Sequence, residues 1–111
     1  NFDNKMFSYS GKNVDLQVYL KSILYIYRDN NERKVIMVTD NNSFVVGLSV
    51  NEIYEKLDDR FIFTQRSCIA NKNRIQKFEW VNKEFILDTG DRVKKLSKKY
   101  KKEIEKQWKK K

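Results

Sequence analysis

The residues whose types could do chemistry are mostly acids. Asp58 and Asp59 are adjacent, and Glu52 and Glu55 stand three apart. Paired carboxylates serve catalysis when one is held protonated beside an ionised neighbour. Here Asp58–Asp59 reads as a helix end and Glu52/Glu55 as a solvated helix face. The chain contains no His, which removes imidazole bases, His-based triads and His metal ligands. The one cysteine, Cys68, lies within an apolar run and reads as a small core residue. A single thiolate builds neither a zinc site nor an intrachain disulfide, in keeping with a reducing compartment. Gly occurs only at 11, 47 and 90, so no glycine-rich phosphate loop exists. No enzymatic activity, cofactor or metal is expected.

What remains is recognition of anions by cations. The formal net charge is +9, and all of it lies in residues 92–111, where eleven Lys or Arg face only Glu103 and Glu105. Residues 1–91 are balanced. A concentrated positive end points to a polyanion: nucleic acid, an anionic membrane surface or an acidic protein. A solvated, solubilising tail is the plainer account of the terminal Lys109–Lys111 run.

These cations need elements to position them. Apolar residues make up 40% of the 111, enough for one domain with one modest core. Short alternating segments dominate. Val14, Leu16, Val18 and Leu20 share one face of a strand. Ile23–Arg28 and Val35–Thr39 are β-branched and aromatic runs around a polar loop at 29–33. A turn at 40–43 precedes a strand at Phe44–Leu48. Over 49–58 the period changes: Val50, Ile53, Tyr54 and Leu57 fit an amphipathic helix. Ser49 and Glu52 form a capping box there, and Leu48 with Ile53 a hydrophobic staple. Strands resume at Phe61–Gln65 and Cys68–Ala70. After a turn at 71–74, where Asn71 orders the backbone, Ile75–Val81 and Glu84–Asp88 read as a hairpin. Its closure is expected at Asn82-Lys83, with Asn taking positive φ. Arg92–Leu96 is a last strand. Ser97 then caps a helix whose Leu96, Tyr100, Ile104 and Trp108 make a narrow apolar stripe between lysines.

The order of these pieces resembles the LytTR family. Ile23-Leu24-Tyr25-Ile26-Tyr27 is similar to its strand "I-x-y-I-e". Leu48-Ser49, Leu57, Phe61, Arg66-Ser67, Ile69-Ala70-Asn71 and Ile75 resemble its central stretch. Gly90 followed by Ser97-Lys98-Lys99-Tyr100 resembles its ending "G-x-x-x-x-v-S-r-r-y". The resemblance runs from about residue 6 to residue 106. The chain departs from the family at Phe63, often basic there, at Gln65, often His, and at Lys98 and Lys99, which replace Arg. Lys keeps the charge but loses the bidentate fork.

The resemblance implies a mainly β fold: antiparallel strands in stacked sheets, an elongated β-sandwich with one short internal helix and a basic C-terminal helix. It also implies a cytoplasmic bacterial transcription regulator that binds double-stranded DNA, with promoter direct repeats as targets and a dimer on DNA. The whole of 1–111 is expected to be one such domain. The chain opens on Asn1 rather than Met, and an upstream receiver domain of a two-component system is expected before it. The family's mode of action places loops in successive major grooves. By position, the resemblance assigns base contacts to Arg33, Arg66 and Lys99. Phosphate contacts fall to Asn31, Lys34, Ser67, Lys72, Ser97 and Lys98. Arg suits guanine O6 and N7, and long polar side chains on loops are what a β-domain without a recognition helix has to offer. Competing accounts are an inert hairpin tip for Arg33 and Lys34, and an ion pair across a sheet for Arg66. For the whole chain, the rival is a basic module on anionic membrane or an acidic partner, with Trp108 as interfacial anchor.

Overall fold

The computed structural model describes residues 3–108. Its centre is a five-stranded antiparallel sheet in the order β5-β4-β3-β7-β6. The strands are β3 (Ile23–Asp29), β4 (Lys34–Thr39), β5 (Ser43–Val46), β6 (Phe61–Gln65) and β7 (Cys68–Asn71). All but β7 are rich in β-branched and aromatic residues, and successive side chains go to opposite faces. One face carries Ile26, Val35, Met37, Phe61 and Ile69 into a shared core. The hairpin of β1 (Met6–Ser10) and β2 (Asp15–Tyr19) covers that face with Phe7, Leu16 and Val18, and α1 (Val50–Tyr54) adds Ile53. The opposite face carries Leu24, Cys68 and Ala70 against a second sheet, order β10-β9-β8. That sheet comprises β8 (Ile75–Glu79), β9 (Glu84–Leu87) and β10 (Arg92–Val93). Three layers result, in a slab of 41 × 40 × 24 Å. Each fully buried Ile, Met or Phe contributes about 1.5–3 kcal/mol of transfer free energy.

The C-terminal helix docks by its stripe. After a 3-10 turn at Lys98–Tyr100, α2 (Lys101–Trp108) buries Ile104 with Leu96 and Ile62. Trp108 is half-buried and meets Phe78 edge-on at 5.0 Å between ring centroids. Its ring is held by the fold. Lys109–Lys111 lie outside the described residues.

The second strand covers only Asp15–Tyr19, with Val14 exposed before it and Leu20 starting a 3-10 turn, and four further local expectations change. The internal helix is shorter than 49–58: its capping box forms, but Lys56 and Leu57 donate to Ile53 and Tyr54 three residues back. That tightening ends the helix before Asp58, whose Oδ1 accepts from the Arg60 N–H and starts the next turn. The fifth strand stops at Val46. Gly47 N–H instead meets Tyr9 Oη at 3.1 Å, and a Cβ at Gly47 would stand 2.5 Å from that oxygen. The β8–β9 hairpin closes over four residues, Trp80 to Lys83, and Lys83, not Asn82, takes the left-handed conformation (φ 54). The last strand covers only Arg92–Val93, because Ser97 N–H leaves for the Thr64 carbonyl at 2.9 Å.

Candidate nucleic-acid interface

One end of the five-stranded sheet gathers three loops. The first joins β3 to β4. Asp29 pairs with Lys34, leaving residues 30–33 as the tip. The Asp29 carboxylate accepts from Asn31 N–H at 2.9 Å and Glu32 N–H at 3.2 Å, an Asx turn that fixes the loop from within. Arg33 closes the turn in the left-handed region (φ 57), where a residue with a Cβ costs about 1–2 kcal/mol. Its side chain is exposed. Lys34 reaches Glu32 at 3.7 Å, an exposed pair of small energetic worth.

The second loop is Arg66-Ser67, between β6 and β7. Strand β6 carries a β-bulge: Phe63 faces Ile69 and Gln65 faces Cys68, so Thr64 is the extra residue. The bulge frees the Thr64 carbonyl from the ladder. That carbonyl accepts from Ser97 N–H and so brings the third loop, Ser97 to Lys99, to the Arg66-Ser67 hairpin. Ser97 Oγ accepts from Lys99 N–H at 3.3 Å and sets the start of the helical turn. Gln65 Nε2 donates to Ser67 Oγ at 3.3 Å, and Arg28 N–H donates to the Ser67 carbonyl at 3.0 Å. The β3 tip and the β6–β7 tip are thereby locked side by side. Lys95 lies over the Tyr27 ring with its Nζ 4.2 Å from the centroid, a cation–π contact at the same end.

The fold therefore brings Asn31, Arg33, Lys34, Arg66, Ser67, Ser97, Lys98 and Lys99 to one end. It does not bring Lys72 there. Lys72 follows β7 at the opposite end, and its N–H bonds the Arg60 carbonyl at 2.8 Å. Arg66 is exposed and makes no ion pair among the described residues. Three further residues at the loop end escaped the reading of the sequence. Arg28 reads as the last residue of a strand, Lys95 as part of a strand within the basic stretch, and Asn30 as generic loop.

The opposite end uses its arginines internally. Arg74 binds Asp40 and Asp88, both at 2.8 Å, and its Nη1 donates to the Lys21 carbonyl at 3.0 Å. Arg60 binds Asp3 at 2.6 Å and Asp58 at 2.9 Å. Hydrogen bonds from Arg74 hold the Asp40 carboxyl below its ordinary range. At Asp58 burial works the other way, and the Arg60 bonds outweigh it. Asn71, buried, donates to the Ile23 carbonyl at 3.0 Å and accepts from Asn73 N–H, ordering its turn. Arg92, on the small sheet, is paired with Glu79 and Glu84. Burial pushes the Cys68 thiol up to about 12, so it stays neutral in the core. Among the described residues no cluster of three His, Cys, Asp or Glu could hold a metal ion. Among them too, no helix is long and apolar enough to cross a membrane.

A family model described as the LytTr DNA-binding domain matches residues 15–109. A solved structure, the LytTr DNA-binding domain of a putative methyl-accepting/DNA response regulator from Bacillus cereus, superposes with a TM-score of 0.75 at 20% identity. The match covers 92% of this chain and 94% of that one. No curated protein matches.

Proposed function

The chain belongs to the LytTR DNA-binding domain family, and from that premise we propose that it reads promoter DNA through the three loops at one end of its central sheet. Arg33, Arg66 and Lys99 contact base edges in successive major grooves. Asn31, Lys34, Ser67, Ser97 and Lys98 hold the flanking phosphates, which position the loops without reading sequence. Lys72, at the far end, is left out of this surface. Residues 1–111 act as a single effector domain beneath an upstream receiver domain of a two-component regulator. Two copies on direct repeats, in the cytoplasm, complete the reading.

The observation that carries it is the pairing state of the guanidiniums. Arg28, Arg33 and Arg66 have no acidic partner among the described residues, and all three stand at the loop end. An unpaired, solvated guanidinium can meet a phosphate or guanine without first breaking an internal ion pair.

The test is selection of bound sequences from random duplex DNA, with anionic vesicles as a parallel arm. Enrichment of a defined motif is expected. Contact with roughly 5–8 phosphates gives a log–log salt slope of about −4 to −7. Equal retention of every duplex, or tighter binding to vesicles than to the selected duplex, refutes the reading.

A further inference from the structure

Arg28 is the unpaired arginine that no loop accounts for. It pairs across the ladder with Val35, and Val35 with Val46. Directly opposed residues point to the same face. Val35 and Val46 are in the core beneath α1, as is Ile26, two residues before Arg28. Arg28 thus continues an inward apolar row by one step. The cover runs out at that step, because α1 begins only at Val50. The guanidinium consequently emerges on the α1 side of the sheet.

A concavity of about 430 Å³ opens there. Its walls are Arg28, Asn30, Ser49, Asn51, Arg66 and Ser67, with Val50 at the start of the helix. Two cations line it, with amides and hydroxyls and no carboxylate. The nearby acid, Glu52, is turned onto Ser49 N–H at 2.9 Å as half of the capping box, and Ser49 Oγ accepts from Glu52 N–H. The backbone bond from Arg28 to Ser67 holds Arg28 beside the Arg66 loop at fixed register. A planar guanidinium beside a second one, with neutral donors around them, suits a tetrahedral oxyanion of single charge.

We propose that this concavity is a phosphate subsite, and that Arg28 anchors in it one phosphodiester of the DNA backbone next to the base read by Arg66. The proposal rests on the reading of the loop end as the DNA surface. It adds a contact on the α1 side, outside the three loops. The phosphate fixes the Arg66 hairpin against the duplex, so Arg28 supplies affinity and register while Arg66 supplies sequence preference.

The test compares the wild-type domain with Arg28→Ala and Arg28→Lys on the selected and a scrambled duplex, over a series of salt concentrations. Thermal melts are run in parallel, and an exposed, unpaired Arg28 predicts unchanged melting. Arg28→Ala is expected to weaken both duplexes by the same factor, roughly fivefold to twentyfold. It should make the log–log salt slope shallower by about 1. Arg28→Lys should restore the slope. An unchanged slope with wild-type affinity overturns the subsite. A loss confined to the selected duplex overturns the phosphate assignment and makes Arg28 a base reader. Inorganic phosphate is titrated at constant ionic strength as a third arm. Competition with duplex that disappears in Arg28→Ala is expected, whereas phosphate bound at Arg28 without any effect on duplex affinity would assign the cavity to a free anion instead. If the wild-type domain itself binds no duplex, the failure belongs to the DNA-binding reading and not to Arg28.

Discussion

The two ends of the central sheet carry the same kind of side chain in opposite states. At one end Arg60 and Arg74 each bridge two carboxylates, and Arg74 adds a backbone carbonyl. Arg60 ties Asp3 at the N-terminal edge to Asp58, and Arg74 ties the 40–43 turn to Asp88 just past β9, so the arginines there act as fasteners. At the other end Arg28, Arg33 and Arg66 face water, and the acids beside them are occupied locally. Asp29 caps its own loop and Glu52 caps α1. Sequence composition is nearly neutral across residues 1–91. Within that stretch it is the pairing that leaves uncompensated charge where the loops converge, and Lys98 and Lys99 from the basic C-terminal stretch add to it.

The largest expected effect that would sharpen this contrast is on Arg66. Arg66→Ala should cost about 1–3 kcal/mol on the preferred duplex and much less on a scrambled one. Its melting temperature should stay within the scatter of a surface substitution. A melted protein would mean that Arg66 is structural, and equal losses on both duplexes that it reads no base. Next in size, and opposite in kind, is Arg74→Ala. It strands two carboxylates and should destabilise by about 1–2 kcal/mol, discounted for partial exposure. That lowers the melting midpoint by several degrees, while sequence preference and salt slope stay as in the wild type. If Arg74→Ala instead abolished sequence preference at full stability, the division between the two ends would collapse.

A smaller pair of substitutions uses the two left-handed residues. Arg33 and Lys83 close hairpins of the same four-residue length, with φ of 57 and 54. Replacing either by Gly relieves backbone strain and should stabilise by up to about 1 kcal/mol. Only Arg33→Gly should also lose affinity for the preferred duplex. Stabilisation without loss of binding in both variants would make the Arg33 tip an inert turn.

The architecture was legible because its signals are local. Apolar, β-branched and aromatic runs mark β3, β4, β6 and β7 almost to the residue, period-two alternation marks β2, and Ser49 with Glu52 marks the start of α1. Propensity and register disagree at the 80–83 hairpin: Asn82 is the better left-handed residue, yet the Glu79–Glu84 register puts Lys83 at that position. The loop residues of the candidate surface came from family resemblance, and the fold brings all but Lys72 together. What no local pattern shows is pairing. Arg28, Arg60, Arg66 and Arg74 look alike along the chain. They differ only through partners as distant as Asp3 from Arg60 or Asp40 from Arg74. Thr64 is likewise an unremarkable strand residue until the bulge turns its carbonyl to Ser97.

The smallest expected effects concern pH. With no His in the chain, affinity for duplex should be flat between about pH 6 and 8, where ordinary Lys and Arg remain charged. Stability should follow the carboxylates at the fastened end. Asp40 is held below its ordinary value of 3.8 by Arg74. A depressed folded pKa contributes stability that is fully present above the unfolded value. That stability is lost as pH falls through the lowered folded one. Acid unfolding should therefore set in below about pH 4, and Asp40→Asn should flatten that dependence. A bell-shaped pH profile for DNA binding near neutrality would mean that a group other than Lys or Arg titrates at the interface.

Whether pairing state divides the arginines into fasteners and DNA contacts is read out by the side-chain Nε–H spectrum of all six arginines. It is recorded near pH 6 with and without the selected duplex. The Arg28, Arg33 and Arg66 signals are expected to shift and gain protection from solvent exchange, while those of Arg60, Arg74 and Arg92 stay in place. Shifts at Arg60 and Arg74 with Arg33 and Arg66 unmoved would put the DNA at the other end of the sheet.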